Sequence, residues 1–289
     1  MKGTTLTTSS ETAAGRRRFL QHLSLLAAPL LIADARAVRV NPPALLDVEA
    51  GHYQVVPAGQ VFCAGVLPME GYEVVHALLR PRLPLLAGYA FIEGYLKTLG
   101  LPVQAVCGME LRMPAPMTFE AFREFNGPYV EQLRKWDLLL GPYSAVCRTN
   151  VAPALNPPAE PVLHAFSYVA PARGRATTFC VSGTADIDPR GKVVAAGSTA
   201  PAAMQEKIHY VLDVIGERLS EMGLAWDDVT HVDFYFAVDV PDIWGSIILP
   251  AIGNAALGGV RLHYARPPIV GAEVELEAKG LARELTLRT

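Results

Sequence analysis

The sequence has little cysteine, no excess of basic charge and no long apolar run, and each shortage closes off a class of protein. Four cysteines in 289 residues are too few for a disulfide-built scaffold. They stand apart at Cys63, Cys107, Cys147 and Cys180, without a C-x-x-C pair, so a zinc site is not expected. Cys107 and Cys147 fall on expected strands of the same half and could be neighbours, but buried thiols are the plainer expectation. The seven histidines include no H-E-x-x-H, and Gly253 to Gly259 lacks the spacing of a phosphate loop. No metal and no cofactor are expected. Lys and Arg total 25 against 28 Asp and Glu, so nucleic acid is not an expected partner. No uncharged apolar stretch reaches the length of a stable membrane span. What is abundant is apolar: 51% of residues are hydrophobic and 18% charged, enough to bury a real core.

The N-terminus has a pattern of its own. Arg16-Arg17-Arg18-Phe19-Leu20-Gln21 follows a small, polar stretch, and a short apolar run from Leu23 to Ala33 leads to Ala35-Arg36-Ala37. This order resembles a twin-arginine export signal with an A-x-A cleavage site, although Gln21 stands where Lys is common. A basic tail before a short helix is the competing reading. Export implies removal of residues 1–37, folding before translocation, and a periplasmic or secreted destination. Removal would take five basic residues (Lys2, Arg16, Arg17, Arg18, Arg36) and two acidic ones (Glu11, Asp34), moving the formal net charge from −3 to −6.

The remaining chain repeats its punctuation. Phe62-Cys63-Ala64-Gly65 recurs as Phe179-Cys180-Val181-Ser182-Gly183. Leu96, Leu99, Gly100 and Leu101 recur as Leu219, Met222, Gly223 and Leu224, and Arg148 has a counterpart in Arg261. These nearly constant offsets predict a duplicated domain, with copies at 38–172 and 173–289. The second copy predicts β-β-α-β-α-β-β. Thr177 to Ser182 forms a strand, with a hairpin turn at Asp188-Pro189-Arg190-Gly191. A helix from Met204 to Met222 is closed by Gly223. Val229 to Val238, Val260 to Tyr264 and Ala272 to Ala278 are strands, and Ile243 to Ala256 is a helix kinked at Pro250. In the first copy the strands are Val61 to Ala64, Val103 to Met113, Ser144 to Arg148 and Val162 to Val169. Its helices are Leu85 to Leu99 and Phe119 to Leu139, the latter with an aromatic stripe (Phe119, Phe122, Phe125, Tyr129) expected in the core. The fold class is α+β, two mixed sheets each with helices on one face. The uncovered faces must pack on something, which argues for sheet-to-sheet assembly.

Several features together carry a resemblance. They are Val181-Ser182-Gly183 on a first strand, Gly191 in the hairpin, the helix ending at Gly223-Leu224, Asp228-Val229, Arg261, and Glu273-Val274-Glu275-Leu276-Glu277. Over residues 173 to 280 the chain resembles the RidA (YjgF) superfamily, and residues 52 to 170 resemble it more weakly. The tandem arrangement is similar to that of the chorismatases. There the matching segments are Arg148, Asn150, Pro153, Leu155 and Asn156 in the first half, with Ser182-Gly183-Thr184-Ala185 and Ala265-Arg266 to Glu275 in the second. The resemblance implies chorismate-mutase-like domains, trimeric or pseudo-trimeric packing, a homo-oligomer, and sites in clefts between domains. It implies hydrolysis of imines or enamines of small acids to keto acids and ammonia.

That chemistry needs a guanidinium to hold a carboxylate and a carboxyl group to move protons. By the resemblance, Arg261 takes the carboxylate-binding and catalytic place and Glu275 the acid/base place. Adjacent antiparallel strands are expected to bring the two together. His263 stands where RidA proteins commonly carry Cys. Arg266, Arg148, Asn150 and Ser182 are further candidates for binding the small carboxylate-bearing substrate. Arg261 could equally close a strand structurally, and Glu273, Glu275 and Glu277 could be three solvated alternates of one strand face. The first copy ends in Val162-Leu163-His164-Ala165-Phe166, with no carboxylate at the matching place. It is either a degenerate structural partner, which is the preferred expectation, or a contributor of Arg148 and His164 to a shared cleft. Chorismatase-like hydrolysis of a cyclic enol-ether acid, and a non-catalytic binding or assembly role, are the competing functions.

Overall fold

The computed structural model describes residues 45–289. The expected export signal and its cleavage site lie outside the described residues. Strands β1 (Leu46–Val48), β2 (Tyr53–Val56) and β3 (Gly65–Pro68) form an antiparallel meander. They lead into β4 (Tyr72–Pro84), a strand of 13 residues. Helices α1 (Leu85–Thr98) and α2 (Phe119–Lys135) flank β5 (Val106–Arg112). A small hairpin, β6 (Leu139–Leu140) and β7 (Tyr143–Ser144), precedes β8 (Cys147–Pro153) and β9 (Val162–Pro171). The second half runs β10 (Phe179–Ala185), α3 (Pro201–Glu221), β11 (His231–Tyr235), α4 (Leu249–Ile252) and β12 (Val260–His263). It ends with β13 (Ala265–Arg266), β14 (Glu275–Gly280) and β15 (Arg283–Arg288).

These strands make two large mixed sheets. The six-stranded first sheet has the order β13-β8-β5-β9-β4-β15, and the seven-stranded second sheet β1-β2-β3-β10-β14-β11-β12. The link between the halves, residues 172–178, joins β9 of one sheet to β10 of the other. The ends of the chain cross over. The N-terminal meander completes the second sheet by pairing β3 with β10, and β15 completes the first by running parallel to β4.

Helix α3 shows how sequence spacing becomes packing. Pro201 opens it, where a missing N–H costs nothing. Met204, Ile208, Val211, Leu212, Ile215 and Leu219 form its buried stripe. Each such side chain contributes about 1.5–3 kcal/mol on burial. Gly223 stops it with φ of 73°, a left-handed conformation that a side chain would strain. On β4, Val75, Ala77 and Leu79 enter the core under α1, while His76, Leu78 and Arg80 line the opposite side.

The structure corrects several expected elements. Val61 to Ala64 is a loop, and the strand begins at Gly65. The helix expected to reach Leu139 stops at Lys135, because the chain turns at Asp137 with positive φ. The kinked helix around Pro250 is a π-helical turn over Trp244–Ile248 followed by α4, and Pro250 sits in the first turn of α4. The final carboxylate strand starts at Glu275 because the Asp186 carboxylate accepts the backbone N–H groups of Glu273 and Val274. The aromatic stripe on α2 is half-buried except for Tyr129, and Phe125 and Tyr129 cover the Arg148 guanidinium.

The helix-free faces of the two sheets meet; Tyr53, Val55, Val66 and Cys180 of the second sheet join the apolar core of the first at one end, and toward β11 and β14 the layer between them is polar. Asp233 and Tyr235 of β11, Glu277 and Lys279 of β14, and Glu110 and Arg112 of β5 are all buried in or beside it. Buried charges persist when they are paired and hydrogen-bonded. All four cysteines are buried thiols, as expected; Cys107 lies on β5 beside β8, one residue before the Gly108 that pairs with Cys147, and the sulfur nearest Cys147 is that of Cys63 at 3.6 Å. Among the described residues no helix is long and apolar enough to cross a membrane.

Candidate functional site

The polar layer opens into a cavity of about 740 Å³ between the sheets. One wall belongs to the second sheet: Asp233, Tyr235, Arg261, His263 and Lys279. The opposite wall belongs to the first: His76, Arg80, Arg82, Glu110, Arg112 and His164. Leu155, Asn156 and Pro158, from the loop after β8, also line it.

The parallel pairing of β11 with β12 sets Asp233 beside Arg261 and Tyr235 beside His263. Asp233 Oδ1 accepts from Arg261 Nε at 3.0 Å and lies 2.7 Å from His263 Nε2, while its Oδ2 accepts from Arg261 Nη2 at 3.2 Å. The Asp233 carboxylate therefore fixes the plane of the guanidinium. Glu284 of β15 lies 3.5 Å from Arg261 Nη1. The Tyr235 ring stacks on His263 with centroids 4.5 Å apart, and the Arg112 guanidinium lies 5.5 Å from the Tyr235 centroid.

Lys279 ties the sheets together. Its Nζ lies 2.8 Å from Glu277 Oε1, 2.9 Å from Glu110 Oε1 and 3.9 Å from Asp233 Oδ2. Burial disfavours its charge, but the three carboxylates outweigh burial and raise its pKa. Burial likewise opposes ionisation of Glu110, but Lys279, His76 and Arg112 prevail and hold it well below the usual carboxylate range. Asp233 is lowered too: burial opposes, and the His263 contact, Lys279 and Arg261 prevail. Glu277 goes the other way. Burial first, then repulsion from Glu110, push it up to about 7, although Lys279 touches it. Its Oε2 accepts from the Tyr235 hydroxyl at 3.1 Å. Two histidines stay neutral. Burial lowers His76 to about 4. Burial and the Arg112 charge lower His164 to about 2.

The expected site residues separate into groups. Arg261 and His263 line the cavity. Arg266 lies at an exposed edge, 3.2 Å from Glu273. Glu275 is not solvated but buried, so the reading of three solvated alternates fails. Nor is Glu275 beside Arg261: the order β14-β11-β12 inserts Asp233 and Tyr235 between them, because β11 is drawn from earlier in the chain to the centre of the sheet. Burial, then Glu277, raise the Glu275 pKa well above its ordinary value, and its Oε2 finds no hydrogen-bond partner among the described residues. Gly183 makes room for it, since a Cβ there would collide with Glu275 Oε1 and come 2.9 Å from Thr149 Oγ1.

Arg148 does not match Arg261 in space. It pairs with Met109, on the helix side of the first sheet, and is buried beneath α2. Its Nε donates to Asn150 Oδ1 at 3.1 Å and its Nη1 to Asn126 Oδ1 at 2.7 Å. Asn150 is therefore a partner of Arg148 behind the sheet. Ser182 is fully buried at the junction of the sheets, donating to the Cys63 carbonyl and accepting the Arg148 N–H.

The first half supplies one whole wall of the cavity. His164 belongs to that wall and Arg148 does not. Arg80, Arg82, Glu110, Arg112 and His76 were not anticipated. A signal for three of them was present: in Val75-His76-Ala77-Leu78-Leu79-Arg80-Pro81-Arg82, the polar residues His76, Arg80 and Arg82 all fall on one period-2 face, with Leu78 the apolar exception.

With this geometry in place, comparison with known proteins is informative. The family described as 2-aminomuconate deaminase CnbZ matches residues 45–285. The chain is 30% identical over 246 residues to 2-amino-5-chloromuconate deaminase of Comamonas testosteroni, covering 82% of this chain and 96% of that one. Among solved structures it is similar to a chorismatase, with TM-score 0.39 and 15% identity, covering 83% of this chain and 80% of that one. It is similar also to RidA of Psychrobacter sp., with TM-score 0.25 and 14% identity, covering 37% of this chain and 82% of that one. The chain belongs to the 2-aminomuconate deaminase family.

Proposed function

Taking membership of that family as the premise, we propose that the chain is a hydrolytic deaminase of a small enamine or imine carboxylate of the aminomuconate type, acting in the cavity between the sheets. The observation that carries this reading is the charge of the lining: the five cations Arg80, Arg82, Arg112, Arg261 and Lys279 stand against the carboxylates Glu110 and Asp233, with Glu277 touching Lys279 and Glu284 touching Arg261. A cleft lined by an excess of one sign concentrates ligands of the other.

In the proposed reaction the enamine takes a proton on carbon and becomes the imine. Water adds to the imine carbon, and the tetrahedral adduct expels ammonia to leave the 2-oxo acid. Arg261, oriented by Asp233, takes the carboxylate beside the reacting carbon. Glu277, held near neutrality, exchanges protons with the substrate through the Tyr235 hydroxyl, which lines the cavity. Glu275, one residue pair further along β14, is the second proton-holding carboxyl of this reading.

Ammonia release from 2-aminomuconate tests the assignment. Wild type is expected to turn over, with a rate that falls as pH rises through about 7, where Glu277 gives up its proton. Glu277→Gln is expected to lose that alkaline limb, and comparison with Glu275→Gln decides between the two carboxyls. Full rates in both Arg261→Ala and Glu277→Gln would overturn the site. Ligand binding without ammonia release by wild type would overturn the reaction.

Export by the twin-arginine route and trimeric or pseudo-trimeric packing belong to the same proposal. The first is tested by fractionating cells that carry Arg16→Lys/Arg17→Lys/Arg18→Lys, and the second by the solution mass of the protein.

A further inference from the structure

The two walls of the cavity are not equivalent in how their cations are neutralised. On the second sheet, Arg261 is paired with Asp233, and Lys279 with Glu277 and Glu110. On the first sheet, Arg112 shares Glu110 at 3.3 Å. Arg80 and Arg82 have no carboxylate within ion-pair distance among the described residues. The side-chain partner of Arg82 is a neutral acceptor: its Nε donates to His164 Nδ1 at 2.9 Å. That bond fixes the guanidinium through its inner nitrogen and leaves the outer edge to the cavity. Burial, then the charges of Arg112 and Arg80, destabilise the Arg82 cation. Three like charges crowd one wall, and a bound anion would relieve them.

We infer that Arg80 and Arg82, supported by Arg112, form a second carboxylate site that selects substrates with a carboxylate at each end. The inference rests on the proposed function, in which Arg261 on the opposite wall takes the carboxylate beside the reacting carbon. Arg80 and Arg82 lie four and six residues along β4 from His76, whose β15 partner Glu284 touches Arg261, so the two arginine groups stand apart along the first sheet. A chain of a few carbons with a carboxylate at each end meets both, whereas a monocarboxylate leaves the Arg80–Arg82 wall without its counter-charge. Arg80 and Arg82 are open to solvent, so the selection comes from the extra charge-assisted bonds they make to a second carboxylate. The first half, which carries no carboxylate at the place matching Glu275, is on this reading the specificity half of the molecule. His164 is a positioning residue that acts through Arg82.

The experiment compares two unreactive six-carbon acids, muconate with two carboxylates and sorbate with one, by calorimetric titration of the whole protein. Wild type is expected to bind muconate at least about 30-fold more tightly than sorbate. Arg82→Gln and Arg80→Gln are each expected to reduce that preference to about threefold or less, with sorbate affinity held. Unfolding curves for both variants report whether the fold is retained, and either variant suffices. Absence of the preference in wild type, or its survival in a folded variant, overturns the inference. Binding needs no turnover, so a protein that prefers muconate yet releases no ammonia from 2-aminomuconate refutes the deaminase reading and leaves the two-carboxylate site standing.

Discussion

Arg148 and Arg261 are matched by their offset along the chain, and their surroundings are opposite. Arg261 is half-exposed on a cavity wall, with two carboxylates within 3.5 Å. Arg148 is 4% exposed, beneath a helix, held by two asparagine oxygens and stacked 4.0 Å from the Tyr129 centroid. Strand register makes the difference. Arg261 pairs with Asp233, which faces the other sheet, and Arg148 pairs with Met109, which faces the helices. In a strand a shift of one residue moves a side chain to the other face. One offset along the chain can thus match a cavity-facing arginine in one half with a helix-facing arginine in the other. Matching by sequence offset alone does not distinguish them.

The contrast can be broken most severely at the layer that joins the halves. Lys279→Met removes the cation shared by Glu110, Glu277 and Asp233, leaving buried carboxylates without their partner. Breaking buried pairs in this way costs about 3–5 kcal/mol. Urea unfolding is expected to show a loss of that order, and a loss below about 1 kcal/mol would show that water has replaced the lysine. The arginine pair gives the next effect. Arg261→Ala is expected to lower kcat/KM at least about 100-fold, or about 2.7 kcal/mol of transition-state stabilisation, with little change in unfolding. Arg148→Leu is expected to do the reverse. It strands the side-chain oxygens of Asn126 and Asn150, at about 1–3 kcal/mol of stability, while KM stays near wild type. If both variants lose activity and keep stability, the two arginines share a role and the register argument fails.

Sequence spacing carried α3, β10 and β12, because each depends on local periodicity, while Arg261 and His263 came from the family resemblance. It did not carry the neighbour of Arg261. The resemblance paired Arg261 with Glu275 as adjacent strands, but β11 lies between β12 and β14, and its Asp233 holds the arginine. Strand order is non-local and leaves no trace in spacing. Strand β4 escaped notice for a different reason. Pro81 and Pro84 in Arg80-Pro81-Arg82-Leu83-Pro84 look like breakers, since proline cannot donate to a ladder. The pairing with β9 is irregular at this place, between Leu78 and Leu83, and so tolerates them. The arginines beside those prolines form the wall proposed to choose the substrate.

The smallest expected effect compares the walls through their histidines. His76 and His164 both belong to the first sheet and both are held neutral, near 4 and near 2, chiefly by burial. An unfolded histidine titrates near 6.5. As pH falls from about 6.5 toward 4 the unfolded chain takes up protons that the folded protein refuses, so stability is lost over this window; it is fully present above 6.5. Glu277, raised to about 7, acts in the opposite sense. The folded protein keeps that proton where the unfolded chain, near 4.5, has released it, so stability falls as pH rises from about 4.5 to 7. The two trends overlap and partly cancel, which makes the wild-type profile shallow. Single variants separate them. With water reaching the cavity, each contribution is expected at about 1–2 kcal/mol rather than the full value for such shifts. His76→Gln, which leaves His164 opposite Glu277, is expected to flatten the profile between about 4.5 and 6.5, and Glu277→Gln to leave one that falls more steeply toward acid. Parallel profiles in the two variants would mean that the walls do not hold their protons in opposite ways.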